Sequence, residues 1–362
     1  MNWLRPKGLA WRSAARLAAP AADCDLERPL HVFFCLADHF EPKRAGAPPT
    51  VQRERVERWR REYPRSVAGL TDSVGRPPRH SFFYPAEEYE PEHLDALAEL
   101  CRQGMGEVEI HLHHDGDTSE HLRETLLEFK ETLHHRHALL ARNAAGEIAY
   151  GFIHGNWALD NSRRDGRWCG VNDELTVLRE TGCYADFTMP SAPADCQTST
   201  INSIYYAFDD PRRPKSHDRG EPARVGRRPP DEGLLMIQGP LALDWRSRKW
   251  GLLPRLENGD LHGGRAPAIA RMRLWLRAGV TVAGRPDWRF VKLHAHGAHE
   301  PNAAVLLGEP MRRFHESLAE TARRHAAFKY YYVTAREMAD LVHQAEAGAE
   351  RPALAPLPAG DR

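Results

Sequence analysis

No stretch of this 362-residue sequence approaches the roughly 20 consecutive apolar residues that a membrane-crossing helix requires, which argues against an integral span. An excess of one charge is missing too. Fifty Lys+Arg stand against fifty Asp+Glu, so bulk charge gives no reason to expect nucleic acid or an anionic surface as partner. Cysteine is sparse: Cys24, Cys35, Cys101, Cys169, Cys183 and Cys196 contain no Cys-x-x-Cys pair and no disulfide-like spacing. They read as buried thiols of a reducing compartment. Residues 1–28 place Trp and Arg at helical spacing but lack the continuous apolar run of a secretory leader. A cytoplasmic location is therefore expected, or one peripheral to the inner membrane through Trp3, Leu4, Trp11 and Leu17. What the chain does have in excess is histidine, 20 residues that cluster.

The densest cluster is Gly106–Thr118, GEVEIHLHHDGDT. Val108, Ile110 and Leu112 alternate with Glu109, His111 and His113, the period-two signature of a strand. The strand runs into His114, Asp115, Gly116 and Asp117, so six metal ligands or proton carriers fall within nine residues. His111 and His113 share a face, and His114 should turn away.

Around this stretch the chain alternates strand and helix. Strands are expected at Leu30–Ala37, His80–Tyr84, Ile148–Ile153, Tyr184–Thr188, Leu234–Gln238, Arg289–Leu293 and Tyr330–Val333. Helices are expected after Thr50 (stopped by Pro64), at Pro91–Arg102, Ser119–Arg142, Asn172–Glu180, Ala266–Leu276, Met311–Ala326 and from Ala335. His134, His135 and His137 read as a solvated face near a negative helix end. Short links between strand and helix mean parallel β/α units. The expected fold class is α/β, a distorted (β/α) barrel of seven or eight parallel strands at 29–345, with a Pro/Gly/Arg-rich loop insertion around 191–232. An N-terminal extension at 1–28 and a flexible tail at 346–362 flank it. In such a barrel the active site lies at strand C-termini, where Asp38, His113, His154, Asp186 and His294 all fall in this parse.

Imidazole and carboxylate together suit a divalent metal, zinc above others, with one position left for water. Asp38, His113 and Asp117, joined by His111, make the metal end, and His294 or His296 faces it as acid. Asn156, Trp157, Trp168, Asp160 and Asn161 are residue types that stack on and hydrogen-bond to sugars. Asp186 is placed either to orient a catalytic His or to cap the turn after it.

HSFFYPAEEYEPEHLDALAELCRQGMGEVEIHLHH resembles the polysaccharide deacetylase (NodB-homology) family of metal-dependent carbohydrate esterases. FVKLHAHG looks like that family's last catalytic motif, and KYYYVTAREMADL like its closing strand and helix, so the resemblance spans about Leu30 to Val342. It implies that Asp38 and His113 are metal ligands, that Asp117 replaces the second metal histidine, and that His294, with His296 as alternative, is the general acid. The family's base aspartate falls on Ala37, and FIHGNWAL holds no counterpart of the Arg that props it. Base and partner are lost together, which leaves no unpaired charge. His39, Glu41 or His154 is then left to take the proton.

The function so implied is metal-dependent removal of an N- or O-acyl group, acetyl above all, from a carbohydrate in polysaccharide or glycoconjugate metabolism. A cytoplasmic location points to a sugar nucleotide or lipid-linked precursor. Two other readings stand beside it: a non-catalytic glycan-binding member of a polysaccharide assembly system, and a glycosidase using Asp38 or Glu41 with another carboxylate.

Overall fold

The direction in which each side chain leaves its strand decides what reaches the site, and β1 (Leu30–His39) shows the rule. In the computed structural model, which describes residues 25–356 together with Leu17, Leu30, Val32, Phe34 and Leu36 enter one buried apolar cluster. Phe33, Cys35 and Ala37 enter another. By the same alternation Asp38 leaves on the first face and His39 on the second. Trp3, Leu4, Trp11 and Cys24 lie outside the described residues, whereas Leu17 packs against Ala192, Ile201 and Leu241.

The strands that follow are β2 (His80–Pro85), β3 (Gly106–Leu112), β4 (Tyr150–His154), β5 (Cys183–Asp186), β6 (Ile204–Ala207), β7 (Glu221–Pro222), β8 (Leu234–Ile237), β9 (Ala242–Lys249), β10 (Leu253–Glu257), β11 (Asp260–Leu261), β12 (Trp288–Ala295) and β13 (Phe328–Tyr332). One curled sheet runs in the order β11-β12-β1-β2-β3-β4-β5-β8-β6-β7, while β9 and β10 form their own hairpin. Within the curled sheet pairing is parallel except for β6 against β7 and β8. One edge of β1 is divided between two partners: Leu30–Phe34 pair with β13 and Ala37–His39 with β2. The hydrogen-bonded path has two ends, β11 and β7, so the sheet is a half-barrel of a mixed α/β fold. The loop expected around 191–232 supplies β6 and β7, the antiparallel end.

The outer face is covered by helices α1 (Pro49–Val67), α2 (Pro91–Arg102), α3 (Ser119–His137), α4 (Glu174–Glu180), α5 (Ile269–Ala278) and α7 (Glu309–Arg324), with the short α6 (Glu300–Leu306) before α7. Each presents an apolar stripe at helical spacing, such as Leu122, Leu126, Phe129 and Leu133 on α3. The inner face packs against α8 (Ala335–Glu346), whose Ala335, Met338, Ala339, Leu341, Val342 and Ala345 sit among Phe33, Phe83 and Ile153. A capping box between Thr334 and Glu337 starts this helix.

Several boundaries differ from the sequence pattern. Pro64 lies inside α1 rather than ending it, because only its own amide bond is lost and the helix is anchored by buried Trp59, Tyr63 and Val67. α3 ends at His137, five residues early, capped by Ala138 at φ 54°. His137 is not a solvated residue: it is buried, and its ring nitrogens meet Asp95 at 2.8 Å and the Tyr89 hydroxyl at 3.1 Å. Residue 346 does not begin a loose tail, since Glu346 is buried and accepts from the Tyr206 hydroxyl at 2.8 Å. Among the described residues no helix is long and apolar enough to cross a membrane.

Candidate metal centre

Strand β3 carries a buried polar row on the inner face, Glu109 and His111 being essentially inaccessible. Its apolar side, Val108, Ile110 and Leu112, faces the helices. Glu109 accepts from the Tyr184 hydroxyl at 2.7 Å and from the Gly151 amide. Burial, reinforced by neighbouring Glu107, pushes its carboxyl up to about 8, so it carries a proton at neutral pH.

Further along the row, His111 and His113 converge on Glu41, which follows β1. Glu41 Oε1 lies 3.3 Å from His111 Nε2, 3.5 Å from His113 Nε2 and 3.9 Å from His296 Nε2. Its other oxygen, Oε2, is held by Arg44. Burial favours the protonated carboxyl, but the His111 hydrogen bond and the charges of His296, His111 and Arg44 outweigh it and hold Glu41 well below the ordinary carboxylate range.

The imidazoles are fixed from behind. His111 Nδ1 donates to the Ile153 carbonyl at 2.7 Å, and His113 Nδ1 pairs with Glu87 Oε1 at 2.6 Å. A ring whose Nδ1 carries its proton presents a lone pair at Nε2, and both Nε2 atoms point at a carboxylate. In that tautomer two lone pairs meet a carboxylate, which a cation among them relieves; with no cation there, His111 Nε2 must carry the proton of its 3.3 Å hydrogen bond to Glu41. Nδ1 partners of this kind orient histidines for metal. Gly155 permits the approach of the next loop, since a Cβ there would stand 2.3 Å from the His113 ring.

His39, on the inner face of β1, completes the rim. Its ring centroid is 4.9 Å from those of His111 and His296 and 6.2 Å from that of His294. Burial, with the neighbouring imidazoles, drives His39 well below its usual value, and burial followed by Lys292 does the same to His294. His294 Nδ1 is buried without a hydrogen-bond partner among the described residues. Two overlapping groups could each hold a metal, Glu41–His111–His113 and His39–Glu41–His296, with ligand atoms within 4.8 Å of one another. The chemistry of the donor set, imidazole nitrogen plus one carboxylate oxygen, fits a borderline divalent ion.

The structure does not bring Asp38, His113 and Asp117 together. Asp38 is on the opposite face of β1, where Oδ2 meets His80 Nε2 at 2.8 Å and Oδ1 accepts from the Gly297 amide at 2.6 Å. Asp117 meets His114 at 2.9 Å and His121 at 2.7 Å. His154 lies at the end of β4 beside His114 and away from the Glu41 group. Asp186 accepts from the amide and hydroxyl of Thr188 at 3.0 and 2.7 Å, so it caps the turn, and burial pushes its carboxyl up to about 7. Trp157 does reach the rim, 6.1 Å from His39 and 6.4 Å from His296 between ring centroids. Asn156 lies beside it in the turn Gly155–Trp157. Trp168 is instead covered by the Arg163 and Arg167 guanidiniums, 4.2 and 4.9 Å from its ring.

Glu87 and Arg44 were missed in the sequence. Glu87 sits in the helical turn Ala86–Glu88 after β2, and the AEE run marks it only as one acid among several. No protein-family model and no curated protein matches this chain.

Proposed function

We propose that the Glu41 rim is the catalytic centre of a metal-dependent hydrolase that removes an acyl group, acetyl above all, from a carbohydrate. The observation that carries the reading is the meeting of Glu41 Oε1 with the Nε2 atoms of His111, His113 and His296. The resemblance to carbohydrate esterases and the Trp157 ring beside the imidazoles supply the substrate class.

Glu41, His111 and His113 would hold the ion, zinc by donor type, and it would supply Lewis acidity and water of lowered pKa at neutral pH. Arg44 holds Glu41 Oε2 and so fixes the orientation of the carboxylate. Glu87 and the Ile153 carbonyl hold the two β3 imidazoles in the tautomer that leaves Nε2 free. His296 Nε2 is partly accessible, its side chain 17% exposed, and burial lowers the pKa of the ring against the opposing charge of Glu41. It takes the proton released when water adds to the acyl carbon, then returns it to the nitrogen or oxygen leaving as the C–N or C–O bond breaks. His294 is buried and neutral behind His39, which suits ring placement better than proton delivery. Trp157 offers a flat apolar surface to a sugar ring.

The test is acid release from acetylated amino sugars by the full chain. Release should cease on chelation, return with added zinc, and fall by more than about 100-fold in His111→Ala, beyond the loss that removing an outer partner brings. Release of reducing ends in place of acetate would indicate a glycosidase. Glycan affinity that survives chelation with no release would indicate a binding protein of an assembly system.

A further inference from the structure

We infer that a second metal site, closed and structural, is built from His114, His154, Cys169 and Glu174. These residues come from the end of β3, the end of β4, the loop after it and the first turn of α4. Their ligand atoms lie within 4.8 Å of one another. Cys169, His154 and Glu174 are fully buried and the His114 side chain is 6% exposed, unlike the Glu41 rim.

Each donor is presented as a metal would need it. His114 Nδ1 is held by Asp117 Oδ2 at 2.9 Å, and His154 Nδ1 by the Gly155 carbonyl at 2.6 Å. Both Nε2 atoms are thereby turned toward Glu174 Oε1, 3.4 and 3.5 Å away. No hydrogen bond closes either gap: His114 Nε2, His154 Nε2 and Glu174 Oε1 are all buried without a hydrogen-bond partner among the described residues. Three converging orphan acceptors in one enclosed pocket are costly, and one cation satisfies them together. Asp117–His114 then forms the carboxylate–histidine pair that orients a ligand ring.

The fourth donor is prepared in the same way. Cys169 Sγ lies within 3.2 and 3.4 Å of the Asn161 and Val171 amides, which hold the sulfur in place facing Glu174. Glu174 Oε2 is engaged by the Asp160 amide and lies 3.3 Å from Cys169 Sγ, leaving Oε1 for the ion. Gly170, at φ +105°, lets the cysteine loop lie on the Asp117 segment, where a Cβ would stand 2.6 Å from the Asp117 amide nitrogen. One sulfur, two imidazole nitrogens and one carboxylate oxygen, all enclosed, make a four-ligand set of the structural zinc type. Such an ion pins residues 155–173, which carry Asn156 and Trp157 to the Glu41 rim, onto the ends of β3 and β4.

Cobalt(II) loading of the full chain distinguishes the two centres, because thiolate coordination gives a near-ultraviolet charge-transfer band and the Glu41 group contains no cysteine. The wild-type protein is expected to show that band. Cys169→Ser should abolish it and lose one equivalent of zinc by elemental analysis, while His111→Ala should keep the band. Absence of the band in the folded, cobalt-loaded wild type would overturn the proposal even if Cys169→Ser fails to fold. Undiminished zinc content and an unchanged band in Cys169→Ser would overturn it as well. Failure of acyl release, with the band present, would contradict only the function proposed for the Glu41 rim.

Discussion

Glu87 Oε1 lies 2.6 Å from His113 Nδ1, and the same ring turns its Nε2 to Glu41. Burial alone would lower the His113 pKa; the Glu87 hydrogen bond and charge raise it on balance. Glu87 therefore makes His113 a stronger base and fixes its tautomer. Glu87→Gln should keep the fold and weaken zinc binding at the rim by about 10–100-fold. Competition titration against a chromophoric chelator reads this directly.

Asp38 is a positioning residue, since its carboxylate joins His80 to the Gly297 amide next to His296. Asp38→Ala strips partners from two buried groups and should cost about 2–4 kcal/mol of stability. Its metal content should equal that of the wild type. Denaturant unfolding and elemental analysis give the two numbers, and loss of one rim metal from a folded Asp38→Asn would restore Asp38 as a ligand.

That assignment also marks how far the sequence could be read. The alternation Phe33, Cys35, Ala37, His39 against Val32, Phe34, Leu36, Asp38 was visible, and it sends Asp38 away from His39. Its place at a strand end and its fit to a family motif both put Asp38 on the metal, and strand parity overrides them. On β3 the same parity put His111 and His113 on one face, which is how they stand. The strand–helix alternation of an α/β fold was legible as well. Closure was not, because the antiparallel turn of β6 and β7 depends on a Pro/Gly/Arg-rich segment whose pattern reads as a loop. The His114–His154–Cys169–Glu174 group left no spacing signature, its members being spread over strand ends, a loop and a helix start.

Trp157 flanks the rim imidazoles without belonging to either apolar layer of the sheet. If it stacks on the sugar, Trp157→Ala should raise KM by up to about tenfold, the equivalent of ~0.5–1.5 kcal/mol, and leave kcat little changed. Steady-state kinetics on an acetylated amino sugar checks this.

His315 gives the fold an acid-sensitive point remote from the rim. Its ring is buried against Tyr332, whose hydroxyl is 2.7 Å from Nδ1. Burial, with a smaller contribution from Arg312, lowers its pKa to about 3. The unfolded chain therefore binds the proton more readily, so the stability held by neutral His315 is present above about pH 6.5 and lost as pH falls toward 3. The loss should approach about 1.4 kcal/mol per pH unit within that window. Urea unfolding at pH 7.5 and pH 5 should show a steeper decline for the wild type than for His315→Gln.

Whether the rim holds its ion where Glu41 and the β3 imidazoles meet is best answered by anomalous diffraction from zinc-loaded crystals of the full chain. A peak about 2.0–2.2 Å from Glu41 Oε1 and from the Nε2 atoms of His111 and His113 is the expected result. A rim without such a peak, or a peak on Asp38 in its place, would contradict it.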